Sequence, residues 1–266
     1  MEIVTTKLNS DCGACSGLCC AALFFAKADG FPEDKNMGTP CVNLQRDFRC
    51  AVHGSLAERG LHGCMAYDCF GAGQKVTALF GGDTWRNRPS RAGEIFEAFL
   101  TVRMMNQMLW YLCEAWRIEP SAEIRALIAE NEEAARGPEV AAFDVYGYKA
   151  RVDRVLKRIT GEVRKTANGK RADADCIGKS FRGRNLYGTD FSMSLLIAAD
   201  FEGCALGKAN FLGADMRGAN IRGADLSQSL FLTQIQVNAA DGDHATKLPP
   251  GLSVPTGWAG ASPAYR

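Results

Sequence analysis

A period of five residues governs the chain from Ala172 to Thr233 and leaves few folds open to it. Neither the 3.6-residue period of an α-helix nor the two-residue alternation of a strand produces this spacing. A square coil that turns a corner every five residues does produce it, with one large side chain on each side pointing inward. The twelve repeats from Ala174 to Thr233 therefore predict three coils of four sides each.

Two inward-facing positions define each repeat. The large apolar series begins at Cys176 and continues through Phe181, Leu186, Phe191, Leu196, Phe201, Leu206, Phe211, Met216, Ile221, Leu226 and Phe231. Small residues stand two places earlier, among them Ala174, Ala199, Cys204, Ala209, Ala214, Ala219 and Ala224. We expect this second position to lie close to a corner of the coil, where only a small side chain fits.

The repeat resembles the motif of the pentapeptide-repeat family, Ala-(Asp/Asn)-Leu-X-X. This resemblance implies a right-handed quadrilateral β-helix of about three coils over residues 172–235. The predicted fold is then mixed, with a small cysteine-rich domain and an α-helical region preceding this C-terminal solenoid. Residues 236–266 are expected to form a cap and tail, because an open solenoid end exposes its core and its edges. The resemblance also implies homodimerisation through the cap.

Residues 90–171 carry the apolar spacing of helices and form the predicted connector between the cysteine-rich domain and the solenoid. Ser90 is the predicted cap of the first helix, and breaks at Pro120 and Gly137 divide the region into three helices. The last helix is basic over residues 149–171. We interpret its Lys and Arg side chains as a solvated face and not as a nucleic-acid site, because no nucleic-acid motif accompanies them.

The eleven cysteines are concentrated near the beginning of the chain, with eight of them within residues 12–69. In a reducing cytosol this clustering favours metal ligands over disulfides and predicts a metal-binding domain over residues 1–89. The candidate ligands are Cys12, Cys15, Cys19, Cys20, Cys41, Cys50, Cys64 and Cys69. His53 and His62 are alternative ligands. We interpret Cys113, Cys176 and Cys204 as buried apolar side chains.

Thiolates bind zinc and the iron of iron–sulfur clusters, and either is compatible with this cluster. Cys19 and Cys20 cannot point the same way in an extended backbone, so the eight thiols allow either one site with spare thiols or two sites. The stretch Cys12-Gly-Ala-Cys15-Ser-Gly-Leu-Cys19-Cys20 resembles the zinc- or iron-chelating family with a CxxCxxCC-type motif. The resemblance covers about residues 12–70 and implies bound zinc, with an iron–sulfur cluster as the alternative.

Charge and hydropathy exclude several classes of partner. The net charge of +1 provides no general attraction to nucleic acid or to an anionic membrane. Residues 172–233 carry seven acidic and six basic side chains, which argues against a DNA mimic. The most apolar stretch, Ile95–Cys113, contains Glu97 and Arg103, and no secretory signal is recognisable. We expect a cytoplasmic protein that does not span a membrane.

These features favour a metal-binding protein whose solenoid is an interaction scaffold for an unidentified protein partner. One alternative is an enzyme or accessory protein of a modification or biosynthetic pathway that uses the cysteine-bound metal or cluster. Another is a metal sensor or storage protein. The sequence contains no serine-hydrolase elbow, phosphate-binding loop or HExxH motif, so it predicts no catalytic residue and leaves enzymatic activity open.

Overall fold

Seven α-helices lie within residues 8–258, the part of the chain that the computed structural model describes. They are α1 (Leu18–Ala22), α2 (His62–Ala66), α3 (Ala72–Leu79), α4 (Ala92–Ile118), α5 (Ala122–Ala134), α6 (Val145–Thr166) and α7 (Gln234–Ala239). The chain divides into two compact units. The first takes in the chain up to Cys64 together with Asp68–Leu156, and the second takes in Met65–Tyr67 together with the chain from Lys157.

Three helices occupy the segment that the sequence predicts to be helical. Ser121 caps α5, where its hydroxyl accepts the amide of Ile124 at 3.2 Å. Ser90 does not cap α4, because a 3-10 turn over Pro89–Arg91 precedes the helix, which begins at Ala92. No helix in the described part of the chain combines the length and apolar character needed to cross a membrane.

Buried amide side chains connect α4 to its surroundings in the first unit. The Asn106 amide donates to the Phe70 carbonyl at 2.7 Å, and the Asn131 amide donates to the Met105 carbonyl at 2.8 Å. Such bonds matter because an unpaired buried polar group costs about 1–3 kcal/mol. The Asn106 bond also holds the backbone immediately after Cys69 against α4, and so helps to position that cysteine.

From Ala172 onward the backbone forms a coil of tight turns, and we call residues 172–235 the repeat coil. Isolated parallel bridges join each bridging position to the one four repeats later, as in the series Asp175, Leu195 and Asp215. The Cys176 amide, for example, donates to the Leu195 carbonyl at 2.9 Å. Four repeats correspond to the four sides of one turn of the coil, so the period of the sequence is also the period of the backbone hydrogen bonds.

The prediction of a right-handed quadrilateral β-helix is wrong. Between residues 8 and 258 the chain has no β-strand and no sheet, and its regular elements are helices. Each side of the repeat coil contributes one bridging residue, such as Asp200, before the chain enters the next turn. A strand needs several consecutive extended residues, and a turn in every repeat leaves no room for them.

The large apolar residues nevertheless pack along the inside of the repeat coil. The rings of Phe181 and Phe201 stack at 5.0 Å, and those of Phe191 and Phe211 stack at 5.5 Å. The small series is buried from Ser194 onward. Cys113, Cys176 and Cys204 are buried as well, which confirms their interpretation as apolar side chains.

The corner turns have left-handed backbone two residues after each large side chain from Cys176 to Ile221. Glycine fills this position seven times, at Gly178, Gly183, Gly188, Gly203, Gly213, Gly218 and Gly223. Met193, Ala198 and Lys208 adopt the same conformation, with φ of 59°, 54° and 53°. Glycine populates this region at little steric cost, whereas other residues pay a penalty of about 1 kcal/mol or more.

A cap closes the C-terminal end of the repeat coil. Thr233 and Gln236 form a capping box at the start of α7. The Gln236 amide then donates to the Phe211 carbonyl at 2.7 Å and to the Ala214 carbonyl at 2.9 Å. These bonds tie α7 to the backbone of the preceding turn of the coil. The predicted tail after Trp258 lies outside the described residues.

Asp190 fastens the beginning of the repeat coil to the end of α6. Its carboxylate accepts bonds from Arg164 at 3.1 Å, Arg171 at 2.8 Å and the Asn210 amide at 2.9 Å, although the side chain is only 6% exposed. Burial opposes ionisation, but the bonds from Ser192 and the two guanidinium groups outweigh it and lower the pKa of Asp190. The carboxylate is therefore a charged junction between helix and coil.

Candidate metal centre

The cysteine-rich segment is built from short helices and loops that bring distant cysteines together. Cys19 and Cys20 lie on α1, and the Cys41 amide donates to the Cys20 carbonyl at 2.9 Å. An isolated antiparallel bridge between Leu44 and Cys50 closes the next loop. These backbone contacts join residues that are well separated in the sequence. Among the described residues, no β-sheet connects these loops.

An aromatic cluster supports the loop that carries Cys50. The Trp85 indole donates to the Ser16 carbonyl at 2.8 Å and its ring meets Phe48 edge-on at 5.9 Å. The Arg86 guanidinium lies over both rings and donates to the Gln45 carbonyl at 2.7 Å. This packing fixes the turn before Cys50 without any regular secondary structure.

Four thiols form the first group, which consists of Cys20, Cys41, Cys50 and Cys64. Burial raises the pKa of Cys64 to about 12, and the charges of the other three add to that effect. Burial likewise raises the pKa of Cys50, with contributions from Cys20 and Cys41. Cys50 and Cys64 also pack against one apolar cluster, formed by Phe31, Val52 and Leu61. Cys50 and Cys64 are thus held by the same apolar cluster.

Lys35 provides a positive charge beside this group. Its ammonium donates to the carbonyls of Leu23 at 2.5 Å and Thr39 at 2.7 Å, and lies 4.6 Å from the centre of the Phe25 ring. Burial lowers the pKa of Lys35, while the charges of Cys41, Cys20 and Cys19 oppose that shift. A cation held in this way offsets part of the negative charge of clustered thiolates.

Three thiols form the second group, which consists of Cys15, Cys19 and Cys69. The sulfurs of Cys15 and Cys69 lie 2.6 and 3.8 Å from the point that a Cβ atom would occupy on Gly73. The pKa of Cys19 is raised well above its usual value, first by its hydrogen bond with Cys20 and then by burial. Negative charge on Cys15 or Cys69 raises it further. Cys12 is exposed and lies in the turn Cys12–Ala14 just before Cys15.

The adjacent pair Cys19 and Cys20 connects the two groups. Their sulfurs are 3.9 Å apart. The hydrogen bond from Cys19 is the main cause that lowers the pKa of Cys20, burial opposes it, and the charge of Lys35 assists it.

None of the eight candidate ligands, all of them described residues, forms a disulfide in this structure. Among residues 8–258, no three or more His, Cys, Asp or Glu side chains converge tightly enough to hold a metal ion as they stand. The soft thiol donors nevertheless match zinc or iron in kind. His53 begins a 3-10 turn and His62 begins α2. The charges that shift the pKa values of the first group come from cysteines and Lys35.

Sequence reasoning missed two residues that shape this segment. Lys35 stands in a loop with no motif around it, so its position beside the thiols was not predictable. Gly73 carried a usable signal, because the run Cys69-Phe70-Gly71-Ala72-Gly73 places two glycines directly after a candidate ligand. Glycine near a ligand often marks a close approach of the backbone.

Comparison with known proteins identifies the repeat and a relative over nearly the whole chain. The model of the family described as pentapeptide repeats matches residues 194–231. The uncharacterized protein YybG of Bacillus subtilis (strain 168) is 40% identical over 264 residues, which cover 94% of this chain and 95% of that protein.

Two solved pentapeptide repeat proteins are also similar to parts of the chain. Rfr23 from the cyanobacterium Cyanothece 51142 is 26% identical, with a TM-score of 0.27, over 29% of this chain and 53% of that one. A thylakoid lumen protein from Arabidopsis thaliana is 29% identical, with a TM-score of 0.15, over 34% of this chain and 62% of that one. The chain is thus a pentapeptide repeat protein and belongs to the same family as the Bacillus subtilis protein YybG.

Proposed function

We propose that this pentapeptide repeat protein binds a metal ion through Cys20, Cys41, Cys50 and Cys64 and acts as a protein-interaction scaffold. The observations that carry the proposal are the backbone bond from Cys41 to Cys20 at 2.9 Å and the packing of Cys50 and Cys64 against one apolar cluster. Phe25 packs against the same cluster and has the Lys35 ammonium over its ring. Four thiolates are the usual ligand set of a closed structural zinc site. The resemblance of residues 12–70 to the zinc- or iron-chelating family supports the same conclusion.

Zinc binding requires movement and deprotonation of these side chains. The sulfurs do not converge on one point as they stand, so the ion has to draw them to bonds of about 2.3 Å. Each thiol also has to lose its proton, and the raised pKa values of Cys50 and Cys64 make those protons costly to remove without a cation. Metal affinity should therefore increase with pH.

The test is the metal content of untagged protein purified without oxygen, measured by elemental mass spectrometry. We expect bound zinc in the wild-type chain and loss of one zinc ion in Cys64→Ser. Cys113→Ser is the matched control, because Cys113 is buried on α4 and should retain the full zinc content. Absence of metal from the wild-type protein, or equal loss in both variants, would contradict the proposal.

The same measurement separates the alternative functions. Iron with acid-labile sulfide would make an enzyme or accessory protein with an iron–sulfur cluster the better explanation. Weak and readily reversible loading would favour a sensor or storage protein. A tightly held zinc ion favours a structural centre in a scaffold.

Exposed apolar side chains on the repeat coil support the scaffold part of the proposal. Met193 is 70% exposed, and Ile177, Tyr187 and Leu195 are each more than 40% exposed. A photoreactive amino acid at position 193 should cross-link to a protein partner in cells, and a second copy of the chain would indicate a homodimer. Position 222, an exposed arginine in the same coil, is the control. Equal cross-linking at both positions would argue against a specific surface.

A further inference from the structure

Cys15 and Cys69 lie outside the proposed zinc site, and the fold brings their sulfurs together although they are far apart in the sequence. The two sulfurs lie 2.6 and 3.8 Å from one point, the position that a Cβ atom would occupy on Gly73. Their separation therefore cannot exceed the sum of these two distances. A disulfide bond is about 2.05 Å long, so the sulfurs need to approach by no more than about 4 Å. Rotation about the two Cα–Cβ bonds covers such a movement.

Hydrogen bonds to α3 hold the segment that carries Cys15. The Asp11 amide donates to the side-chain oxygen of Gln74 at 3.2 Å. The Ser16 amide donates to the Thr77 hydroxyl at 2.9 Å. These two bonds lie on either side of Cys15, so the cysteine is kept against the first turns of α3.

A short chain of hydrogen bonds leads from Cys69 to a carboxylate. The Ser10 hydroxyl donates to the Asp68 carboxylate at 2.6 Å, and its oxygen lies 3.1 Å from the Cys69 sulfur. Because the hydroxyl proton is directed at Asp68, the Cys69 thiol is the donor to the Ser10 oxygen. The carboxylate can therefore draw a proton from the thiol through the hydroxyl. This transfer generates a thiolate, which is the form of cysteine that reacts with oxidants.

Cys15 is suited to react second. Burial is the main cause that raises the pKa of Cys15, and hydrogen bonds from the amides of Leu18 and Gly17 oppose this shift only in part. Both cysteines of the pair are nevertheless partly exposed, so a small oxidant can reach them. The structure thus provides one thiol with a route for its proton and a second thiol close enough to bond to it.

The adjacent cysteines Cys19 and Cys20 are less suited to a disulfide, although their sulfurs are 3.9 Å apart. They are consecutive residues of α1, so their Cα atoms are about 3.8 Å apart. Disulfide-bonded cysteines usually have Cα atoms about 4.4–6.8 Å apart. Cys20 is in addition a ligand of the proposed zinc site. The geometry therefore favours the pair that meets beside Gly73.

We infer that Cys69 and Cys15 form a peroxide-reactive dithiol site that closes to a disulfide. The Cys69 thiolate attacks one oxygen of hydrogen peroxide, the O–O bond breaks, and a sulfenic acid forms. The hydroxide that leaves takes up the proton released by Cys69 and becomes water. The Cys15 sulfur then attacks the Cys69 sulfur, the S–O bond breaks, and the hydroxyl group leaves with the Cys15 proton as a second water molecule. The two thiols lose two electrons, which reduce the peroxide.

The bridge would join the chain before α1 covalently to the residue that closely precedes α3. This inference goes beyond the proposed function and uses none of its four ligands. The two claims can therefore fail separately.

The first test treats the full-length chain with an equimolar amount of hydrogen peroxide, after the chain has been reduced and freed of reductant without oxygen. The remaining thiols are alkylated, and fragmentation of the non-reduced peptides by mass spectrometry locates the bonded sulfurs. We expect a bond between Cys15 and Cys69 in the wild-type chain and in the control Cys113→Ser. A first disulfide between any other pair, or no disulfide at all, would overturn the inference.

Dimedone, a reagent that traps sulfenic acids, tests the order of the two thiols. In Cys15→Ser the reaction should stop at the sulfenic acid, and the dimedone adduct should accumulate on Cys69. In Cys69→Ser we expect no adduct on Cys15. Equal labelling of the remaining thiol in both variants would contradict the assignment of Cys69 as the thiol that meets the peroxide.

A further test leaves every thiol in place. Ser10→Ala removes the hydroxyl between Cys69 and Asp68 and should slow bridge formation at least about tenfold. Ser10→Thr keeps a hydroxyl and should restore most of the rate. The control is Ser90→Ala, an exposed serine in the turn before α4. Equal rates in Ser10→Ala and Ser90→Ala would overturn the role of the hydroxyl and, with it, the activation of Cys69.

The zinc content of the same samples separates this inference from the proposed function. A zinc-free chain that forms the bond between Cys15 and Cys69 would overturn the proposed function alone. A chain that holds zinc and forms no such bond would overturn the dithiol site alone.

Discussion

The cysteine-rich segment and the repeat coil achieve order by different means. In the repeat coil, every side repeats the same contacts, so buried rings stack on rings four repeats away and each turn supports the next. In the cysteine-rich segment, no contact is repeated, and its order depends on single residues such as Lys35 and Trp85. The comparison shows that one chain can combine a periodic core with a region held together by individual polar and aromatic contacts.

Removal of the proposed zinc ion should have the largest effect on stability, and that effect should be confined to the cysteine-rich segment. Structural zinc contributes on the order of 10 kcal/mol to the folding of small domains that depend on it. We expect chelation under reducing conditions to abolish the hydrogen-exchange protection of amides such as those of Cys41 and Ala51. The amides of the repeat coil should keep their protection. Hydrogen-exchange mass spectrometry measures this protection. Equal loss of protection in both regions would contradict the contrast between them.

A charge in the core of the repeat coil should have the next largest effect. Phe211 is fully buried and stacks on Phe191, so Phe211→Asp should lower the free energy of unfolding by about 3–5 kcal/mol. The control is Ile177→Asp, because Ile177 is half exposed and should change stability by less than about 0.5 kcal/mol. Denaturant titration measures both variants. Similar losses would mean that the assigned inward positions are wrong.

The Asp190 junction should make the stability of the coil depend on pH. Because the folded protein lowers the pKa of Asp190, its contribution is complete above the unfolded carboxyl pKa of about 3.9 and is lost as pH falls through the folded pKa. Asp190→Asn should therefore cost about 1–3 kcal/mol at pH 7 and progressively less below about pH 4. Thermal unfolding across pH 2.5–7 measures the difference, within roughly the range where carboxylates titrate.

Asp215→Asn is the control for this junction. Asp215 pairs with Arg217 at a position that is four times more exposed, so its removal should cost less than about 1 kcal/mol. If the loss of stability in Asp190→Asn did not change with pH, the side chain would act through packing and not through charge.

Substitutions at the corner turns should have the smallest effects on stability, and the two substitutions below should act in opposite directions. Ala198→Gly relieves a left-handed alanine and should stabilise the protein by about 0.5–1 kcal/mol. Gly203→Ala places a Cβ in open space at the same turn position, with φ of 65°, and should destabilise it by a similar amount. Denaturation midpoints measured side by side test this. Shifts of the same sign would contradict the common turn geometry.

The period of five correctly identified the residues that pack inside the coil, because neighbouring turns meet at a constant interval of four repeats. It did not lead to the right secondary structure. The β-helix was inferred by resemblance, whereas the corner glycines, such as Gly203, leave only single bridging residues between turns. The helices of the middle region were predictable from apolar spacing, but the start of α4 was not, since a 3-10 turn replaced the expected cap at Ser90.

The sequence by itself determined the inward residues of the repeat coil and the clustering of eight cysteines near the beginning of the chain. Only the tertiary structure decided where those cysteines lie, with the Cys41 amide bonded to the Cys20 carbonyl and the sulfurs of Cys15 and Cys69 both beside Gly73. The physical reason is the range of the interactions. A repeat encodes contacts at a fixed separation along the chain, whereas the thiol groups form between loops whose separations follow no rule.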